Sequence, residues 1–234
     1  MLAIHGFLKM HSMKIKVCGM TDMDQLYELD ELGVAFAGFI FYPPSPRYAL
    51  KRGLQGADVK RSKLKTCKVG VFVDASYDEI MKQIEAFGLD MVQLHGRETP
   101  YECSRIANYI DVIKAFRFAE NDHVQWMIKD YYDTADMFLF DTGVPASKEE
   151  RENKTLYGGT GRKFNWNRLK GLRIDKPFFL SGGIEPTDAD VVQEFMKDEV
   201  AKDLFVVDIC SRFEILPGIK DMEKVKRFMK DVAP

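Results

Sequence analysis

Short apolar runs rich in β-branched and aromatic residues recur along the chain, and most are separated by stretches whose apolar positions repeat at helical spacing. The runs predict strands at 14–18, 35–41, 68–73, 91–95, 112–116, 137–141, 178–181 and 205–210. Strands that alternate with helical segments imply βα units around a parallel sheet. Eight of them predict an α/β fold of one domain, a closed (β/α)8 TIM barrel spanning residues 13–234. Residues 1–12 lack this pattern and are expected to be an extension ahead of the barrel.

Helix starts and stops punctuate the same units. Asp22 or Thr21 caps a helix carrying Leu26, Leu29 and Leu32, and Gly33 stops it. Ser76 caps one carrying Ile80, Ile84 and Phe87, ended by Gly88. Pro100 and Pro186 stand where first-turn prolines stand, predicting helices at 101–109 and 187–196. The stretch 51–65, rich in charge and glycine, predicts a short or irregular helix, and the charged segment 145–160 is expected to be the longest loop. Trp126 and Trp166 fall in helical contexts and read as packing residues.

Composition narrows the classes. With 46% hydrophobic residues in 234, the chain can bury a large core, and its longest apolar run, 34–42, is too short to span a bilayer. The formal net charge of -2 provides no global field for nucleic acid or anionic membranes, so any anionic ligand needs a local site. The expected partner is a small molecule, held by a monomer or homodimer. Cys18, Cys67, Cys103 and Cys210 have neither disulfide-framework nor zinc-site spacing, so no metal is expected, and reduced thiols in a cytoplasm are the simplest reading.

Chemistry in a βα barrel sits at the C-terminal ends of its strands. Those ends carry Cys18, Arg47 in the second loop, Asp74, His95, Arg117, Asp141, the run Ser181-Gly182-Gly183, and the run Asp208-Ile209-Cys210-Ser211. Strand alternation puts Lys16 and Cys18 on one face, where the ammonium is expected to draw the thiol's pKa toward neutrality and make it a base. A strand-end cysteine is otherwise a small hydrophobe. Asp141, at the rim of an apolar strand, is expected to hold its proton and act as an acid, unless it merely anchors its loop. Gly182 and Gly183, with Ser211 and Arg212, can bring backbone N–H groups up to a phosphate, or simply form a tight turn. Arg47 sits in the proline-stiffened segment Pro43-Pro44-Ser45-Pro46-Arg47, which suits a bidentate grip on a carboxylate, although a loop arginine is otherwise surface. His95 is either a ligand contact or a satisfied strand-end histidine.

Seven stretches in order, Lys16 to Thr21, Ser45-Pro46-Arg47, Val92 to Gly96, Phe140-Asp141-Thr142, Gly158 to Gly161 with Phe164 and Trp166, Ser181 to Ile184, and Pro217-Gly218 with Lys220-Asp221, resemble the phosphoribosylanthranilate isomerase family of tryptophan biosynthesis. The resemblance implies a (β/α)8 barrel and an Amadori rearrangement without a cofactor. It assigns Cys18 as general base and Asp141 as general acid. By the same resemblance Arg47 holds the anthranilate carboxylate, and Gly182, Gly183 and Ser211 hold the phosphate. Asp208, on the same face as Cys210, is expected to point into the barrel near the substrate or Lys16, and His95 is counted with the substrate-binding residues. One departure is that Cys210 and Arg212 stand where the family has serine and glycine, in the loop expected to touch phosphate. Rival readings are another phosphate-binding barrel isomerase or epimerase, which would call for metal-binding histidines or a catalytic lysine, and a catalytically silent ligand-binding barrel.

Overall fold

The computed structural model describes residues 13–118, 122–142 and 165–232. The extension at 1–12, the loop at 145–160, and Gly158 to Gly161 with Phe164 lie outside the described residues. Parallel strands β1 (Lys14–Cys18), β2 (Phe36–Ile40), β3 (Cys67–Phe72), β4 (Met91–Leu94), β5 (Asp111–Phe118), β6 (Met137–Thr142), β7 (Phe178–Leu180) and β8 (Leu204–Ile209) close into a barrel in sequence order. Every expected strand is present, and none of its ends moves by more than two residues. Barrel closure pairs β1 with β8, placing Lys16 opposite Asp208 and Val17 opposite Ile209.

Alternation along each strand divides the interior in two. Outward side chains such as Val17, Phe39, Phe138, Phe140 and Val207 pack beneath the surrounding helices. Inward ones, among them Phe36, Val69, Met91, Ile113, Leu139, Phe179 and Val206, form a separate apolar plug inside the barrel. The rings of Phe36 and Phe179 meet edge to face at 5.6 Å in that plug. Above this plug, the inward residues Lys16, Gln93 and Asp208 stand in the layers near the strands' C-terminal ends.

The helices are α1 (Met23–Glu31), α2 (Gly56–Arg61), α3 (Tyr77–Phe87), α4 (Pro100–Ala107), α5 (Val124–Ile128), α6 (Ala189–Phe195) and α7 (Met222–Val232). Asp22 caps α1 by accepting from the Gln25 N–H at 3.0 Å. Ser76 with Glu79, and Thr99 with Glu102, form reciprocal capping boxes on α3 and α4. Pro100 is in the first turn of α4, as its spacing predicts, and α2 is short.

Pro186 departs from expectation. Asp188 accepts from the Glu185 N–H at 2.8 Å and closes a separate turn around Pro186, so α6 begins only at Ala189. Trp126 is no packing residue: it is 71% exposed, with the Lys129 ammonium 4.2 Å above its ring, whereas Trp166 is buried. A hairpin of β9 (Glu214–Leu216) and β10 (Ile219–Lys220) follows β8. It is tied to the start of the chain by Thr21 Oγ1 donating to the Gly218 carbonyl at 2.6 Å, and by Gln25, whose side-chain amide exchanges two hydrogen bonds with the Lys220 backbone. Among the described residues no helix is long and apolar enough to cross a membrane.

Candidate active site

At the C-terminal ends of the strands a pocket gathers Cys18, Ser45, Arg47, Gln93, His95, Asp141, Ser181, Asp208 and Cys210, with Tyr42 and apolar residues between them. Parallel strands in a closed sheet all end at one rim, and each strand except β5 brings a residue of its end or of the loop after it into this lining.

One layer down, the Lys16 ammonium meets both carboxylate oxygens of Asp208 at 3.0 Å. Lys16 is fully buried and Asp208 nearly so. Burial alone would pull Lys16 down, but Asp208 and Cys18 outweigh it and hold the ammonium above its ordinary value. Burial pushes the Asp208 carboxyl up, and Lys16 only partly restores it. Two contacts of equal length mark a charged pair, and each partner keeps the other ionised. Gly38, on the neighbouring strand, leaves room for this layer: a Cβ there would lie 2.8 Å from Cys18 Sγ and 3.2 Å from Lys16 Cε.

The expectation that Lys16 draws the Cys18 pKa toward neutrality is corrected: Lys16 does lower it, but stronger effects prevail. Asp208 absorbs the ammonium's charge, and Cys18 is held well above its ordinary value, first by its hydrogen bond with Cys210 and then by burial. As a thiol, Cys210 donates to the Cys18 carbonyl oxygen at 3.3 Å. Once ionised it accepts from the Cys18 thiol, and that bond, with the nearby Lys220 and Arg47 charges, draws Cys210 down to about 7. The first proton lost near neutrality therefore belongs to the sulfur pair.

Arg47 is buried, not a solvated loop residue. Its Nε lies 3.0 and 2.9 Å from the two Glu214 carboxylate oxygens, with a further contact of 2.7 Å from its terminal nitrogen. Glu214 also accepts from Lys220 Nζ at 2.7 Å and from the Gly218 N–H at 3.1 Å. Two cations share one carboxylate, so while Cys210 keeps its proton the cluster retains one uncompensated positive charge at the pocket wall. This favours an anion such as a carboxylate. The composition made no prediction of Glu214 and Lys220 as partners, because the hairpin that delivers them is set by a turn far from Arg47 in sequence.

Asp141 faces His95 across the pocket. Gln93 Nε2 contacts His95 Nδ1 at 2.8 Å, which places the proton of a neutral ring on Nε2, 3.3 Å from Asp141 Oδ2. Gln93 was missed by the sequence reading, although its spacing two residues before His95 puts both on the inward face.

Other expected residues stand elsewhere. Gly182 and Gly183 adopt positive φ, of 99° and 70°, a conformation open to glycine, but they and Ser211 do not line the pocket around Cys18. Gly182 instead borders a second cleft with Trp166, Lys170 and Asp188. Arg212 reaches Glu185 at 3.4 Å on a half-exposed surface. Asp74 is turned to the neighbouring loop after β4, accepting from the Arg97 N–H at 2.6 Å. Among the described residues no three His, Cys, Asp or Glu side chains converge to hold a metal.

A family model described as N-(5'phosphoribosyl)anthranilate (PRA) isomerase matches residues 15–231. The chain is 35% identical over 221 residues to the N-(5'-phosphoribosyl)anthranilate isomerase of Parabacteroides distasonis, a match covering 94% of this chain and 93% of that one. It superposes on the crystal structure of phosphoribosyl anthranilate isomerase from Thermotoga maritima with a TM-score of 0.75 and 30% identity, covering 94% and 98% of the two chains. A further solved isomerase, in complex with reduced 1-(o-carboxyphenylamino)-1-deoxyribulose 5-phosphate, matches with a TM-score of 0.69 and 27% identity over 94% and 98%.

Proposed function

The chain belongs to the N-(5'-phosphoribosyl)anthranilate isomerase family, and from that premise we infer that it catalyses the Amadori rearrangement of N-(5-phosphoribosyl)anthranilate to 1-(2-carboxyphenylamino)-1-deoxyribulose 5-phosphate in tryptophan biosynthesis. The observation that carries the inference is the family match across 15–231, which takes in every strand end of the pocket. The reaction needs an acid to protonate the ribose ring oxygen so that the ring opens to an iminium. A base must then remove the C2 proton that the iminium has acidified. Hydrogen moves within one substrate, so the chemistry requires no cofactor to exchange electrons.

We assign the acid to Asp141 and the base to Cys18. Support comes from their common pocket and, for the base, from the charge it can carry: the sulfur pair of Cys18 and Cys210 takes one negative charge near neutrality, and passing its remaining proton to Cys210 leaves Cys18 as the base. His95 would orient Asp141. Asp208 would act from below, keeping Lys16 charged against the base. Arg47, with its surplus positive charge, would hold the anthranilate carboxylate, and Gly182, Gly183 and Ser211 the phosphate. The pocket's described lining comes from one barrel, so one chain carries these groups whether it stands as a monomer or homodimer. Four free cysteines favour a cytoplasmic setting, and the net charge of -2 disfavours nucleic acid as a partner.

Loss of anthranilate fluorescence when purified protein meets freshly formed phosphoribosylanthranilate tests the activity itself, and an unchanged signal at high enzyme concentration would overturn it. Two finer expectations follow the site. Arg47→Ala removes a charge-assisted contact of about 1.5–3 kcal/mol, so KM should rise roughly 10- to 100-fold with a smaller change in kcat. An unaltered KM would take the carboxylate away from Arg47. The base works only deprotonated, so kcat/KM should climb as pH rises through about 7, where the sulfur pair loses its first proton, and fall on the acid side. A profile flat across neutrality would separate the pair from the chemistry.

A further inference from the structure

The cysteine that stands in place of the family's serine gives this active site a second thiol, and the fold puts it against the first. Cys18 is the last residue of β1, and Cys210 follows directly on Ile209, the last residue of β8 and the partner of Val17; both cysteines line the same pocket. Neighbouring strands run about 4.8 Å apart, within the span over which two cysteine Cα atoms can be bridged. Cys210 Sγ already lies 3.3 Å from the Cys18 carbonyl, and both sulfurs open onto the pocket that admits small molecules.

We propose that Cys18 and Cys210 are a redox-modifiable dithiol, closed to an intramolecular disulfide by low-molecular-weight disulfides. The charges favour Cys210 as the attacking group: Lys220 Nζ lies 3.9 Å from its sulfur, and Arg47 lines the same pocket. Its thiolate attacks one sulfur of the reagent, forming a mixed disulfide and releasing one thiolate. Cys18 then loses its proton to that released thiolate and attacks the Cys210 sulfur, expelling the second half of the reagent. Two protein thiols are oxidised to one disulfide, and one small disulfide is reduced to two thiols. Cys67 and Cys103 are buried away from this pocket, and burial pushes both thiols up, so they are poor competitors. The consequence for turnover rests on Cys18 being the general base, whereas the bond itself does not.

The test incubates the full chain with 2-hydroxyethyl disulfide, followed by acid quench, alkylation and peptide mass analysis alongside the fluorescence assay. The expected result is loss of two of the four free thiols, a cross-linked peptide pair containing Cys18 and Cys210, and a parallel fall in turnover of at least about 10²-fold, reversed by dithiothreitol. Cys210→Ser, with turnover normalised to the same variant kept reduced, should resist the treatment. Absence of the cross-link, a mixed disulfide that never resolves, or inactivation of Cys210→Ser at the wild-type rate would each overturn the dithiol. A cross-link that forms while turnover persists would leave the bond standing and remove Cys18 from the chemistry instead.

Discussion

Replacing Cys18 by serine is expected to lower kcat by about 10²- to 10⁴-fold while KM moves little, because a hydroxyl in the same place cannot serve as a base near neutrality. The change is nearly isosteric, so the Lys16 and Asp208 layer beneath it should persist and the protein should fold. Cys210 makes the experiment more informative. Its thiolate remains in the variant, hydrogen-bonded to the new hydroxyl, and can act as a displaced and inefficient base. Combining Cys18→Ser with Cys210→Ser should therefore erase residual turnover. Steady-state kinetics of the two variants decide the matter: near-normal kcat in Cys18→Ser would remove that residue from proton abstraction.

Lys16→Met should produce the largest loss of stability. It leaves Asp208 buried with no counter-charge, a situation that costs about 3–5 kcal/mol. Asp208 would respond by holding its proton. Its pKa, already raised by burial in the presence of Lys16, would climb further in the folded variant and stay ordinary in the unfolded one. A folded state that binds the extra proton is favoured at low pH, so the variant's deficit should be greatest at neutral pH and above, and shrink as pH falls through the raised value. Urea denaturation of the variant and wild type at several pH values measures this. Adding Asp208→Leu should recover most of the loss, since two apolar residues replace a buried pair at little cost. A double variant no more stable than Lys16→Met would show that the pair is not what the mutation breaks.

Much of the barrel was legible in the sequence because each strand carries two independent signals. Phe138 and Phe140 mark the helix-facing side of β6, Met137 and Leu139 the interior, and Asp141 the rim, so a short run encodes strand, face and end together. Capping pairs such as Ser76 with Glu79 encode helix starts just as locally. Residues that depend on distant pairing were not legible. The sequence places Lys16 beneath Cys18, but only the β1 and β8 register reveals that Asp208 takes its charge and Cys210 holds its thiol. Arg47 was visible as a cation, yet its pairing with Glu214 depends on a hairpin whose position the alternation does not encode. Trp126 was misread because five helical residues give too short a pattern to say which side faces out.

The contact between Lys16 and Asp208 spans 192 residues of chain, and so does that between Cys18 and Cys210. They form the seam where the first strand meets the last. Loop-closure entropy must be overcome before such a contact contributes anything, which makes the seam a late event in folding. Individual βα units can acquire their helices and outward cores long before, with the base still lacking its layer of charge and its partner sulfur. A chain emerging from the ribosome has no working site until β8 has been released, and in refolding experiments the return of activity times the closing of the ring, not the formation of its parts.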